Sequence, residues 1–456
     1  MTEKTASKYL INLEKHFAND NPVLLKSAKV FHELDQIEFE LGLISNDETT
    51  ANKKSWLPII SLISGNSSAK SRFINSYLMN PQQIPSSVQA FNQKFTVLLH
   101  NSLAHAATLP GTALDVDPRY PFYQISNQIE QLLKGEGERI NAYLELKTIN
   151  SDRLKAKVFI DTPNINAEAI NPVNLLLSQQ SIDCADLVFV FSDVFESTSP
   201  MQYEIIQQII SQQDTNKFVY LIDEPLAALN PAKTNEIISS WQRKLLALGL
   251  NTGQFIILPS AQNNINPNHQ ADFNEIDERM ANVNNDRTYR ILETLEKNIR
   301  ELENVVIPEV KKGLVTWKER ANITTLFILS FFAILAVFAE IEFGALDFLF
   351  DPIIGPIIIV ILLAVLVPTH LLICKLHAKF IIKKLNLRQK ELHLMENLSQ
   401  LFEMNLTTKR MLLPISEPLG WNKLTKARLM DLTSKTKELV QDLNDHFSAY
   451  EDEIAH

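Results

Sequence analysis

Cysteine is nearly absent. The 456 residues hold two, Cys184 and Cys374, too few for a disulfide framework and wrong in number and spacing for a metal site. An excess of positive charge is missing as well. Lysine and arginine total 43 against 53 acidic residues, a net charge of −10, which argues against a nucleic-acid partner of the basic-patch kind. The first residues, MTEKTASKYLINLEKHF, lack the apolar core of a signal peptide and read as an amphipathic helix, so export of the N-terminal part is not expected. At this length two or three folded units are expected.

What the chain does contain is one concentrated apolar block. From Ile323 to Ala339 no charge interrupts ITTLFILSFFAILAVFA, and from Pro352 to Cys374 a second run is broken only by prolines, Thr369 and His370. Between them lies an acidic linker with Glu340, Glu342, Asp347 and Asp351 and no basic residue. Lys311, Lys312, Lys318 and Arg320 precede the first run; Lys375, Lys379, Lys383, Lys384 and Arg388 follow the second. Apolar length and charge placement predict two transmembrane helices, with both long flanks in the cytoplasm and the linker outside. The phenylalanines of that linker (Phe343, Phe348, Phe350) leave a shallow hairpin or paddle as the alternative to a full crossing.

Residues 56–262 alternate strand-like apolar runs with helical segments, the pattern of an α/β domain with a mainly parallel sheet. Strands are predicted at Pro58–Ile63, Phe95–Leu99, Ala142–Thr148, Lys157–Ile160, Leu187–Phe191, Phe218–Ile222 and Gln254–Leu258. The first runs into SGNSSAKSRFINSYL, a strand, small-residue turn and Lys-Ser opening a helix. That is the context of a phosphate-binding P-loop, whose backbone N–H groups face phosphate oxygens. Gly65, Ser67, Ser68, Ala69, Lys70 and Ser71 are the candidate phosphate-binding residues. Lys70 would reach the β- and γ-phosphates, and the Ser71 hydroxyl would hold Mg²⁺. Ser64 and Ala69 stand where the full motif has glycines. The strand ending in Asp161-Thr162-Pro163-Asn164 supplies a second candidate, Asp161, toward the Mg²⁺ water shell.

Three blocks in order then resemble the nucleotide-binding domain of the EHD proteins, dynamin-superfamily ATPases that remodel membranes. They are PIISLISGNSSAKSRFINSYL, LPGTALDVDPRYPF at Leu109–Phe122, and VFIDTPN with CADLVFVFSDV beyond it. The resemblance covers about half the chain and implies a G-like domain that binds Mg²⁺ with GTP or ATP. It implies self-association through that domain and a helical stalk, and a lipid bilayer as partner. The apolar hairpin resembles the anchor of dynamin-like proteins such as the mitofusins. Asn66 falls where dynamins place a glutamine two residues after the first loop glycine, and is the one catalytic candidate. Phe91-Asn92-Gln93 stands where the family has switch threonines, Asn164 where it has a glycine, and Ile222-Asp223-Glu224-Pro225 where it reads the base. Each lost element normally stabilises transition-state charge or positions water, so hydrolysis is expected to be slow or absent. A pseudo-NTPase scaffold is therefore the alternative function.

The remainder is helical. Leu292, Leu295, Ile299, Leu302 and Val306 form a seam predicted to stop near Pro308; Leu385–Phe402 and Trp421–Tyr450 follow the second run. The resulting plan has N-terminal helices over 1–50, the G-like domain over 51–265, stalk over 266–322, a transmembrane hairpin over 323–374 and a second stalk segment over 375–456.

Overall fold

The computed structural model describes residues 4–18, 21–65, 67–78, 94–102, 106–117, 119–164, 170–195, 199–212, 216–222, 231–250, 253–258, 273–343, 354–392, 394–413 and 417–454. The chain divides into two units, Asn52–Ile291 and the combination of Met1–Ala51 with Leu292–His456.

The first unit is built on a mixed sheet of eight strands. They are β1 (Ile59–Ile63), β2 (Phe95–His100), β3 (Ala107–Pro110), β4 (Leu144–Ile149), β5 (Val158–Asp161), β6 (Leu187–Phe191), β7 (Phe218–Ile222) and β8 (Gln254–Ile257). Their order is β3-β4-β2-β5-β1-β6-β7-β8. From β5 to β8 all neighbours are parallel; β2 is antiparallel to β5 but parallel to β4, and β3 closes the edge antiparallel to β4. All five residues of β1, β6 and β7 are buried, as unbroken apolar strands must be when helices cover both sheet faces. One face packs Val173 and Leu177 of the helix Pro172–Cys184, Ile205 of Pro200–Gln212, and Trp241 and Leu245 of Pro231–Ala247. The other packs Phe73, Tyr77 and Leu78 after β1, with Ile276, Met280 and Val283 of the long helix Asn274–Glu301.

Seven of the eight strands lie where the apolar runs predict them. The eighth, β3, is wholly exposed; with no buried side it carries no alternating pattern, and its last two residues, Leu109 and Pro110, open the Leu109–Phe122 block.

The second unit is helical. The C-terminal helix (Lys423–Ile454) lies antiparallel to the N-terminal helix Pro22–Glu40, with ion pairs Lys26–Asp442 at 2.8 Å, Lys435–Glu33 at 2.7 Å and Arg428–Glu40 at 2.7 Å. Pro308 does not end the helical seam. A π-turn at Leu302–Val306 leads directly into the first hairpin helix, Ile307–Phe343. Proline fits there because the wider turn changes the hydrogen-bond ladder at the point where its ring would meet the preceding carbonyls. The second hairpin helix, Ile354–Glu391, likewise contains Pro368.

Both hairpin helices are long and apolar enough to cross a membrane. Their uncharged stretches are not the core of this unit. Phe327 is 71% exposed and Phe331 60%, and Phe332, Phe338, Ile357, Val360, Leu362 and Val365 are also exposed. Leaving such a side chain in water instead of an apolar phase costs roughly 1.5–3 kcal/mol, so this surface belongs against another apolar phase. Within this chain the described residues of the hairpin are not buried in a helical bundle. The linker residues 344–353, on which the paddle alternative turns, lie outside them.

Candidate functional site

β1 has β5 on one side and β6 on the other; the chain leaves β1 for the helix Ser67–Phe73 on one face and β5 for the helix Pro172–Cys184 on the opposite face. In open α/β sheets such a switch point, at the carboxyl ends of the strands, is where ligands bind. The ends that meet here are Ile63-Ser64-Gly65, Asp161-Thr162 and Phe191-Ser192-Asp193.

The helix Ser67–Phe73 continues β1 and carries Lys70. Lys70 is only 3% exposed. Its ammonium pairs with Asp161 Oδ1 at 2.8 Å and donates to the Thr162 carbonyl. Thr162 in turn ties β5 to β1, its N–H and hydroxyl both donating to the Leu62 carbonyl at 3.3 and 2.8 Å. The lysine and the carboxylate that sequence reading placed about 90 residues apart are thus in direct contact.

A second carboxylate completes the floor. Asp193 accepts from the Ser64 hydroxyl at 2.7 Å through Oδ2 and from the Gly65 N–H at 3.0 Å through Oδ1. Gln202 reaches back from the helix Pro200–Gln212 to the carbonyls of Asp193 (3.4 Å) and Val194 (3.0 Å). Gly65 is required by this packing. A Cβ on it would stand 2.6 Å from the Asp193 carbonyl oxygen and 2.9 Å from the Gln202 amide. The serine at the first glycine position therefore has a use: its hydroxyl forms half of a two-pronged grip on Asp193. At the second glycine position, Ala69 is buried in the apolar layer beneath the sheet.

Ser71 follows Lys70 and is half-buried, and Asn164 is exposed. Ser67 and Ser68 open the lysine helix. Asn66, Phe91-Asn92-Gln93 and Asp223-Glu224-Pro225 lie outside the described residues. Asp193 and Gln202 were not singled out from sequence. The available signal was the acidic residue just past the β6 run, at the same strand-end level as Gly65 and Asp161.

The donor set suits a phosphate chain with a divalent cation. It joins one buried ammonium, a glycine-dependent turn and a carboxylate on the neighbouring strand. Among the described residues no cluster of His, Cys, Asp and Glu could hold a metal ion by itself.

The chain matches no protein-family model and no curated relative. Among solved structures it aligns with two chains described as an oligomerised bacterial dynamin pair, connected with long-range sensing and tethering of membranes. The first shares 11% identity over 98% of this chain and 96% of that one, with a TM-score of 0.37. The second shares 11% identity over 98% of this chain and 78% of that one, with a TM-score of 0.33.

Proposed function

We propose that the chain is a membrane-anchored protein of dynamin-superfamily type, whose sheet unit binds a purine nucleotide with Mg²⁺ on the cytoplasmic face. In this reading it self-associates through the sheet unit and stalk, and tethers or remodels membrane with slow hydrolysis at most. The observation that carries it is the meeting of Lys70, Asp161 and the Gly65 turn at the sheet's switch point, on a chain that also bears an exposed apolar hairpin. Lys70 would exchange Asp161 for phosphate oxygens. Ser71 would face the Mg²⁺ through its hydroxyl, and Asp161, once released, through water. Bound nucleotide would supply the phosphate charge, which Mg²⁺, Lys70 and the loop's N–H groups would offset.

Calorimetry on the full-length protein in micelles, with Mg–GTP and with Mg–ATP, tests this. One of the two binds, and Lys70→Ala weakens that binding at least tenfold, consistent with about 1.5–3 kcal/mol for a charge-assisted bond. Absence of binding by either nucleotide overturns the reading.

A second reading, a pseudo-NTPase scaffold, is favoured by the self-satisfied resting state of the site. Its cation is already neutralised by Asp161, and Ser64, Ala69 and Asn164 stand in place of glycines. Phosphate release that rises on vesicles and falls in Asp161→Ala excludes this second reading; binding without turnover supports it.

A further inference from the structure

The root of the hairpin carries a surface that neither the spans nor the candidate site explains. Two contacts fix its level. The Trp317 indole N–H donates to the Cys374 carbonyl at 2.8 Å, and the Lys318 ammonium donates to the Leu413 carbonyl. Cys374 ends the second uncharged run, and Lys318 stands five residues before the first begins, about 7–8 Å of helix. The short helix Thr408–Leu412 is therefore held against the hairpin where apolar sequence gives way to charge. His370 confirms that height, its Nε2 lying 3.4 Å from the Met411 carbonyl.

At this level the protein exposes apolar side chains beyond those of the spans. Leu412 is 51% exposed and Leu413 52%. On the second hairpin helix Leu372, Leu376 and Phe380 are all exposed. Their four-residue spacing makes one lipid-width stripe continuing past Cys374. Lysines and an arginine are interleaved with these groups. Arg320, Lys375, Lys379 and Lys409 are exposed, and none forms an ion pair among the described residues. Lys311 and Arg388, farther from the runs, are paired with Glu417 (2.5 Å) and with Glu309 and Glu391 (3.6 and 3.0 Å). Apolar groups with unpaired cations at the mouth of a membrane hairpin match the chemistry of an anionic leaflet. The apolar groups suit the acyl boundary and the cations suit the headgroups.

We infer that the hairpin root is an anionic-lipid docking collar, in which Leu412–Leu413 and the Leu372–Leu376–Phe380 stripe enter the leaflet surface while Arg320, Lys375, Lys379 and Lys409 hold acidic headgroups. This rests on the hairpin lying in the bilayer. The collar adds a lipid preference that two uncharged spans cannot provide, so membranes of different charge would hold the stalk base differently.

The test uses the full chain in phosphatidylcholine vesicles with and without phosphatidylserine. An environment-sensitive dye is attached to Leu413→Cys or, as a reference, to Phe331→Cys; the two native cysteines are buried. The expected result is an apolar signal at 331 in both vesicles, and one at 413 that appears with phosphatidylserine. Replacing Lys409 by alanine lowers the docked fraction ratio about fivefold, as does Lys379→Ala, the size of one surface charge near such a leaflet. A label at 413 that stays in water in both vesicles, while 331 reads hydrocarbon, overturns the collar alone. A label at 413 that is equally apolar in both overturns its charge preference. Water at 331 removes the hairpin reading and the collar with it.

Discussion

Arg290 shows how much one side chain holds. Its guanidinium donates to both carboxylate oxygens of Asp186, at 2.6 and 3.1 Å, and to the carbonyls of Ser55 (2.7 Å) and Leu57 (3.1 Å). Asp186 also accepts from the Ile59 N–H at 2.8 Å, so the cluster pins the start of β1 to the long helix. The Asp186 side chain has no exposure. Arg290→Ala leaves that carboxylate buried without its cation and is expected to cost about 3–5 kcal/mol in a denaturant titration. Arg290→Lys recovers only part, because an ammonium lacks the planar fork. Cys184 gives a pH-dependent counterpart. Burial pushes its thiol from 9.0 up to about 11. The folded value lies above the unfolded one, so the contribution is full below pH 9 and is lost as pH rises to about 11. It amounts to about 2–3 kcal/mol over that window. Urea unfolding at pH 8 and pH 11 should show a smaller loss in Cys184→Ala than in the unsubstituted chain. At this scale the sequence was partly legible. Lys70 and Asp161 declare themselves by strand-end position, whereas Asp193, Gln202 and Arg290 act through partners more than a hundred residues away or through backbone carbonyls, which leave no spacing to read.

Elements were legible in proportion to their burial. β6 and β7 match the predicted bounds residue for residue because five consecutive buried residues leave no ambiguity of period. The exposed edge strand β3 had no such signal, and Pro308 misdirected the helix boundary because its effect is absorbed by a π-turn. The antiparallel pairing of Pro22–Glu40 with Lys423–Ile454 repeats at seven residues on both helices, through Lys26, Glu33 and Glu40 against Asp442, Lys435 and Arg428. Exposed pairs of this kind are worth about 0–1 kcal/mol each; their common spacing fixes register more than stability. The hairpin helices are registered differently, by hydroxyls against imidazoles. Thr324 Oγ1 lies 2.9 Å from His377 Nε2, and Thr325 Oγ1 lies 2.8 Å from His370 Nδ1. Each hydroxyl spends its only proton on a carbonyl one turn back, Arg320 and Ala321 respectively, at 2.8 Å. At His377 the ring nitrogen Nε2 is then the donor to Thr324 Oγ1. His377 is expected to carry a proton on Nε2; His370 links Thr325 Oγ1, through Nδ1, to the Met411 carbonyl, 3.4 Å from its Nε2. Nitrogen–proton correlation spectra of histidine-labelled protein in micelles read the His377 ring proton directly. A His377 ring with no proton on Nε2 contradicts this arrangement of the hairpin.

For the whole molecule the decisive quantity is how the hairpin sits in a bilayer. From the sequence, the first uncharged run is short for a crossing. In the structure its helix continues to Phe343, so Ile323 to Phe343 spans roughly 30 Å at 1.5 Å per residue, with the uncharged part ending at Ala339 and Glu340 and Glu342 at its outer end. Gly355 to Cys374 supplies about the same. Basic residues on both outer sides and only acidic ones in the linker would then place both flanks on the cytoplasmic side. Two proteases separate a crossing from a shallow insertion. Between Arg320 and Lys375 there is no lysine or arginine, so trypsin added to sealed vesicles with the flanks outward should remove both flanks and leave residues 321–375. A glutamate-specific protease should then leave Glu340 and Glu342 uncut until detergent opens the vesicles. Cleavage at either glutamate in sealed vesicles would put the linker on the same side as the flanks, and the hairpin would be a paddle and not a pair of spans.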